Sequence, residues 1–392
     1  MREQHSQHPQ ENPSPLFARC FYGYAVSGMM VLVFGSILPS IMKEGDFGYL
    51  LAGGLLSAMA IGNLSASLLF PILERFLQKR GAITLVAGLM TGMLLVITLL
   101  PPLPILYAAM VVVGIGKGSI TIFNNAIVND HSQTPAKTLN YLHCSYAVGA
   151  LSSPFLTGLL SMFGCGWRVI LYLLVVLGIS SCLFYGSISY PQTKVSQASS
   201  SKGTRDFYKS FDFYCISFLL FFYVGLENCV NGWFVTYLQS VGIMSEAFAS
   251  VMVSVTWLCI MFGRLTCAAL SKSIAKSRIV LFNCLGSLVG LLLLITGSKM
   301  LQVGAGLVIL GFCMSGIFPT NIAIAKPFLK GSTVGMAMLT AISSLGGILA
   351  PQLVGIVADF SGIAAAIGLL VINCAIMLLL SFCLRKREAK FL

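Results

Sequence analysis

Apolar runs recur along the chain from Phe21 to Leu384, parted by short polar breaks. Each is about long enough to cross the ~30 Å hydrocarbon core of a bilayer. The pattern predicts twelve spanning helices, over 21–42, 48–70, 82–100, 104–128, 138–162, 167–188, 211–239, 246–269, 278–297, 301–325, 332–357 and 362–384. The breaks are too short to hold a folded water-soluble domain. The longest, 189–210, is rich in Ser and Lys and reads as a flexible linker between six spans and six. This gives an all-α membrane protein of two parallel six-helix bundles, 21–188 and 211–384, with polar tails 1–20 and 385–392.

The two halves carry a common motif. GALSSPFLTGLL, 149–160, aligns with GGILAPQLVGIV, 346–357, so that Gly149, Pro154 and Gly158 match Gly346, Pro351 and Gly355 at one constant offset. Each copy falls in the fifth span of its half. Parallel repeats of this kind place a substrate site near the midplane between the halves. Small residues let helix backbones approach, and proline loosens a helix that bends.

Composition agrees with the pattern. Hydrophobic residues make up 57% of the chain and charged residues 9%, far below the quarter usual in soluble domains. The net charge of +12 does not point to nucleic acid, because the basic residues follow topology. With the N-terminus inside, the inner loops and tails hold Arg2, Arg19, Arg75, Lys79, Arg80, Lys137, Lys194, Lys202, Arg205, Lys209, Lys272, Lys276, Arg278, Lys326, Lys330, Arg385, Lys386, Arg387 and Lys390. Only Lys43, Lys299 and Arg168 fall outside. That bias predicts a multi-pass protein of the plasma membrane with both termini cytoplasmic. Residues 1–20 lack the order of a signal peptide. The 12 cysteines are scattered without a C-x-x-C pair and read as packing residues, so no metal or disulfide framework is expected.

Few charges lie inside the runs, and those that do are costly to keep. Lys117 and Glu227 stand near the middle of the fourth and seventh spans, Arg264 near the inner end of the eighth, and His143 in the inner half of the fifth. Helical spacing extends each into a stripe: Lys117, Thr121 and Asn124 or Asn125; Tyr223, Glu227 and Asn231; Asn140 and His143. Such stripes face protein or a water-filled cavity. Glu227 admits three readings: a ligand for substrate hydroxyls, a carrier of a coupling proton, or a neutralising partner for Lys117. Asn228 and the other carboxamides both donate and accept, which suits sugar hydroxyls. Tyr223 and Trp233 offer flat faces for a sugar ring, although Trp233 fits an interface anchor equally well. PILERFLQKRG, 71–81, reads either as topogenic charge or as a latch through Glu74 and Arg75, with Arg264 in the equivalent segment of the second half.

These features resemble the major facilitator superfamily over about Tyr22 to Leu384. PILERFLQKRG is similar to its signature loop between helices two and three, with Glu74 in place of the usual Asp and Leu77 or Gln78 in place of a glycine. LNYLHCSYAVGALSSP, 139–154, resembles the fucose permease-like group of sugar symporters, as do YVGLENCVNGWFVTYL, 223–238, and GIFPTNIAIA, 316–325, which contains Asn321. The resemblance implies alternating access, a cavity lined by helices one, four, seven and ten, and sugar import, usually proton-coupled. The first span lacks an acid and the fourth presents Lys117, so a facilitator, an anionic cargo or coupling through Glu227 alone all fit.

The leading expectation is therefore a monomeric secondary transporter of a sugar or similar polyhydroxylated solute. It needs no cofactor beyond a coupling H+ or Na+, and lipid is its surroundings. The alternative is an exporter of drugs or organic ions in the same superfamily. No nucleotide loop, metal cluster or nucleophile–base pair points to an enzyme.

Overall fold

The computed structural model describes residues 14–188, 205–271, 273–329 and 332–391. The expected tail up to residue 13, linker residues 189–204, Lys272 and Lys330 lie outside them. The helices are α1 (Ser14–Gly45), α2 (Tyr49–Thr98), α3 (Leu103–His131), α4 (Pro135–Met162), α5 (Trp167–Gly186), α6 (Phe211–Ser240), α7 (Glu246–Leu270), α8 (Lys276–Ile295), α9 (Met300–Met314), α10 (Ile317–Leu329), α11 (Thr333–Gly368) and α12 (Leu370–Phe391). A single 3-10 turn, Arg205–Lys209, precedes α6.

The protein is all-α, and among the described residues nine helical stretches are long and apolar enough to cross a membrane. Their boundaries differ instructively from the apolar runs. The runs 48–70 and 82–100 fall in one 50-residue helix, α2, broken only at Gln78, whose φ of 59° lies in the left-handed region. Gly362, at φ 80°, similarly breaks α11 between the last two runs. Glycine adopts that conformation freely; Gln78 does not, and it stands where the family loop carries glycine. The run 301–325 is split into α9 and α10 at Ser315 and Gly316. Pro319 explains the break: it has no N–H to return to the carbonyl of Ser315, so the helix restarts instead of running through.

Helices α1 to α5 pack chiefly on one another, as do α6 to α12, and the two sets are joined mainly through α2 against α11, α4 against α7 and α1 against α6. Large apolar side chains inside the runs, such as Leu68, Val176, Leu183 and Leu379, stand exposed on the outside, as lipid rather than water requires.

The repeated motif has repeated contacts. A Cβ on Gly149 would strike the backbone of Ala25 in α1, and one on Gly346 would strike the backbone of Phe221 in α6. Each motif's first glycine thus seats its helix on the first helix of its own half. The last glycine reaches across: Gly158 meets Ala247 and Val251 of α7, while Gly355 meets Tyr49 and Gly53 of α2. One sequence device therefore makes the same pair of contacts twice.

The joins between the halves lie toward the far face, opposite the linker face, which is the one that carries Ile188 at the end of the first half and Arg205 at the start of the second. Asp359 accepts from the backbone N–H groups of Tyr49 (2.8 Å) and Leu50 (3.2 Å), capping α2 from the other half. Ser40 donates to Glu246 at 2.7 Å, and Ser57 donates to the Ile348 carbonyl at 2.6 Å. Within the first half, Glu44 takes bonds from the Arg168 guanidinium and from the Trp167 indole (2.9 Å), which hold its carboxyl well below the usual range, at about 2. A cleft of about 780 Å³ opens on this face between Ser40, Lys43, Tyr49 and Gln239.

Gly149→Val and Gly346→Val should each cost about 1–3 kcal/mol, because a β-branched side chain forces two packed backbones apart. Thermal unfolding of the detergent-purified protein checks this, and an unchanged melting temperature would contradict the shared seating.

Candidate functional site

Polar side chains from both halves meet between α1, α3, α4, α6 and α7. Lys117 on α3 is half-buried and within Coulombic reach of Glu227 on α6. The two are not in direct contact; among the described residues the close ion pairs are Lys79–Asp130 and Arg168–Glu44. The buried Tyr223 hydroxyl donates to Glu227 at 3.2 Å and lies within reach of the Arg264 guanidinium on α7. A tyrosine hydroxyl thus stands between the acid and the guanidinium.

Aromatic rings line the same space. Tyr24 on α1 lies within reach of Thr121 and packs on Tyr146 (ring centroids 4.9 Å apart) and on His143 (5.8 Å). Tyr146 faces Trp257 of the other half at 6.5 Å, and the Trp257 indole donates to Asn231 at 3.1 Å. Tyr223 packs on Phe318 at 6.2 Å. His143 is exposed although it lies between Tyr24 and the reach of Arg264. Asn140, one turn nearer the linker, is also exposed.

The helices deliver these groups by simple register. Lys117 and Thr121 are one turn apart, and the Thr121 hydroxyl bonds back to the Lys117 carbonyl at 2.9 Å, leaving its methyl and oxygen on the Lys117 face. Tyr223, Glu227 and Asn231 follow at four-residue steps on α6. Close helix contact is secured by glycine, since a Cβ on Gly35 would strike the backbone of Asn231 and one on Gly28 that of Tyr146.

Several expected site residues have other surroundings. Asn124 is fully buried and donates to the Tyr185 hydroxyl at 2.9 Å, inside the first half and turned from the central space. Asn125 is half-buried, with an oxygen that has no partner among the described residues. Asn228 donates at 3.0 Å to the Gly347 carbonyl. Pro351 lacks the N–H that this carbonyl would receive in an unbroken helix, so Asn228 satisfies the group that the proline orphans. Trp233 is fully buried, donates to the Pro351 carbonyl at 3.1 Å and packs on Tyr49 at 6.0 Å, so its ring has no free face for a sugar. Asn321 is fully buried and bonds its own helix at the Ile317 carbonyl, 2.8 Å away.

The gate residues also fall differently. Arg264 sits with Tyr223 in the central cluster instead of at the linker-face rim. Glu74 is half-buried with Lys79 of its own half in reach, and Arg75 is exposed. Lys79 pairs with Asp130 at 3.4 Å, an acid that the sequence reading passed over. Both contacts lie within the first half.

Sequence reasoning missed Tyr24, Tyr146 and Trp257. Two of them were within reach of the pattern: Tyr146 continues the step of three from Asn140 and His143, and Trp257 lies two turns from Arg264 on one face.

The profile of the Major Facilitator Superfamily matches residues 20–326. The glucose/mannose transporter GlcP of Bacillus subtilis (strain 168) is 22% identical over 389 residues, spanning 94% of this chain and 95% of its own. A solved bacterial homolog of the human lysosomal transporter Spinster, in an inward-facing and occupied conformation, superposes with a TM-score of 0.79 at 15% identity, covering 96% of this chain and 98% of its own. The nucleoside transporter NupG, as its D323A mutant, gives 0.78 at 15% identity over 94% and 98%.

Asn228→Ala should destabilise the fold by about 1–3 kcal/mol by leaving the Gly347 carbonyl unpaired, while solute preference stays as in the parent protein. Unfolding midpoints and competition uptake check the two halves of that statement; a changed preference at an unchanged midpoint would contradict it.

Proposed function

The chain belongs to the major facilitator superfamily, and from that premise we propose that it carries a sugar or similar polyhydroxylated solute across the plasma membrane by alternating access. The observation that carries this reading is the composition of the central space. Lys117, Thr121 and Tyr24 come from one half, and Tyr223, Glu227, Asn231 and Arg264 from the other. Hydroxyl, carboxamide, carboxylate and cationic groups together offer donors and acceptors on both sides of a solute rich in hydroxyls. The rings of Tyr24, Tyr146 and Trp257 offer apolar faces to a sugar's C–H surface. The similarity to a glucose/mannose transporter and to the fold of a nucleoside transporter supports a cargo with sugar hydroxyls.

The described helices form twelve crossings in this reading: α2 and the α11–α12 segment cross twice each, α9 with α10 crosses once, and every other helix crosses once. The linker face, which the basic residues mark, is cytoplasmic. The far-face joins close the outer entrance, and the space beside His143 opens to the cytoplasm. Returning to the outer face breaks the Asp359 cap and the Ser40–Glu246 bond while new contacts form between the linker-face ends. Glu227 couples the cycle to an ion, in the simplest case a proton, by exchanging charge within reach of Lys117. The Tyr223 hydroxyl reports that exchange to Arg264. The protein acts as a monomer, without a cofactor.

In proteoliposomes, labelled glucose or mannose should accumulate without ATP when an inward proton gradient is imposed. Glu227→Gln should abolish accumulation above the external concentration. Accumulation at the parent level in that variant would reject the coupling role.

A further inference from the structure

The charges around the central space do not balance. Lys117 and Arg264 are both directed into the region that holds one acid, Glu227. Neither cation has a direct carboxylate partner among the described residues. Glu227 lies within reach of Lys117 but not against it, and Tyr223 stands between Glu227 and Arg264. The other groups around Arg264 are the phenols of Tyr24 and Tyr146 and the ring of His143. None of these supplies a negative charge in its ordinary form. The Arg264 Nε is moreover buried without a hydrogen-bond partner. A guanidinium is a rigid planar fork suited to two oxygens of a carboxylate or phosphate, and the Nε edge of this one is left without a protein partner.

We propose that the cargo is anionic: a monosaccharide bearing one acidic group, which Arg264 receives with Lys117 adding a second positive charge. This inference rests on the sugar reading above and narrows it. The anionic group takes the Arg264 edge of the site. The hydroxyls take Asn231, Thr121, Tyr24 and Glu227, and the ring lies along Tyr146 and Trp257. With Glu227 ionised, a single carboxylate brings the excess positive charge to zero in the loaded state and a phosphate monoester reverses its sign; either removes the uncompensated positive charge from the site that moves across the membrane. A neutral sugar leaves that excess in place, and so loads a site that keeps an uncompensated charge away from water.

The test compares each neutral sugar with its charged counterparts on the full-length protein in detergent at fixed ionic strength. Glucose is measured against glucuronate, gluconate and glucose 6-phosphate by binding calorimetry, with counterflow in proteoliposomes as a second readout. At least one charged counterpart should bind about tenfold or more tightly than glucose, and the carboxylate and phosphate arms tell which group fits. Arg264→Gln should reduce that ratio at least about fivefold, and Arg264→Lys should recover part of it. Should the glutamine variant not fold, the wild-type ratio and the lysine variant still decide. Glucose binding as tightly as all three overturns the inference and leaves the sugar reading standing. No binding or counterflow by any sugar, neutral or charged, overturns that reading and the inference together. Acetate or inorganic phosphate binding as tightly as the charged sugars overturns the sugar part alone.

Discussion

A charged or hydrogen-bonding group inside a bilayer has to be satisfied by protein or by water admitted into protein, and this chain is organised around that requirement. Moving a lysine, arginine or acid to the bilayer centre costs about 2.5–3.5 kcal/mol even on the mildest scales. Two opposite unit charges about 6 Å apart at an effective dielectric near 20 recover about 3 kcal/mol. One attraction of that size offsets about one such charge. Lys117, Glu227 and Arg264 therefore stay charged together only in a space that admits water or a solute. In the proposed transporter that space opens beside His143, which is exposed.

The same requirement explains the prolines and glycines. Pro154 and Pro351 each sit inside a helix and each release a carbonyl. In the second half that carbonyl, on Gly347, is met by Asn228, and its neighbour on Ile348 is met by Ser57 from the other half. A loosened helix is thus also a joined one. The glycines of the motif fix how near α4 and α11 come to their partners, and Gly158 and Gly355 repeat one cross-half contact in equivalent places.

Much of this was legible in the sequence, for physical reasons. Apolar runs mark helices because lipid permits little else, and the constant offset of Gly149 and Gly346 marks equivalent helices because only glycine permits that approach. Lys117, Glu227 and Asn231 stood out because polar atoms in such runs are expensive. Cost alone does not say which partner meets it, however. Asn124, Asn228, Trp233 and Asn321 carry the same signal and spend it on Tyr185, on two carbonyls of α11 and on their own helix. Tyr24, Tyr146 and Trp257 escaped notice because aromatic residues cost little in an apolar run. Arg264 resembled a rim charge because its position in the chain is near the end of α7, while its long side chain reaches inward to Tyr223.

The claim beneath all of this is that the Lys117–Glu227 region is a watery space shared by the two halves, reachable from one face. A cysteine placed at Thr121, in a protein whose 12 native cysteines have been replaced, measures it directly. A membrane-impermeant, water-soluble thiol reagent applied from the linker face should modify that cysteine, and a bound solute should slow the reaction. If water-soluble reagents fail to reach it from either face and only a lipid-soluble reagent does, Thr121 and Lys117 face hydrocarbon and the central site does not exist.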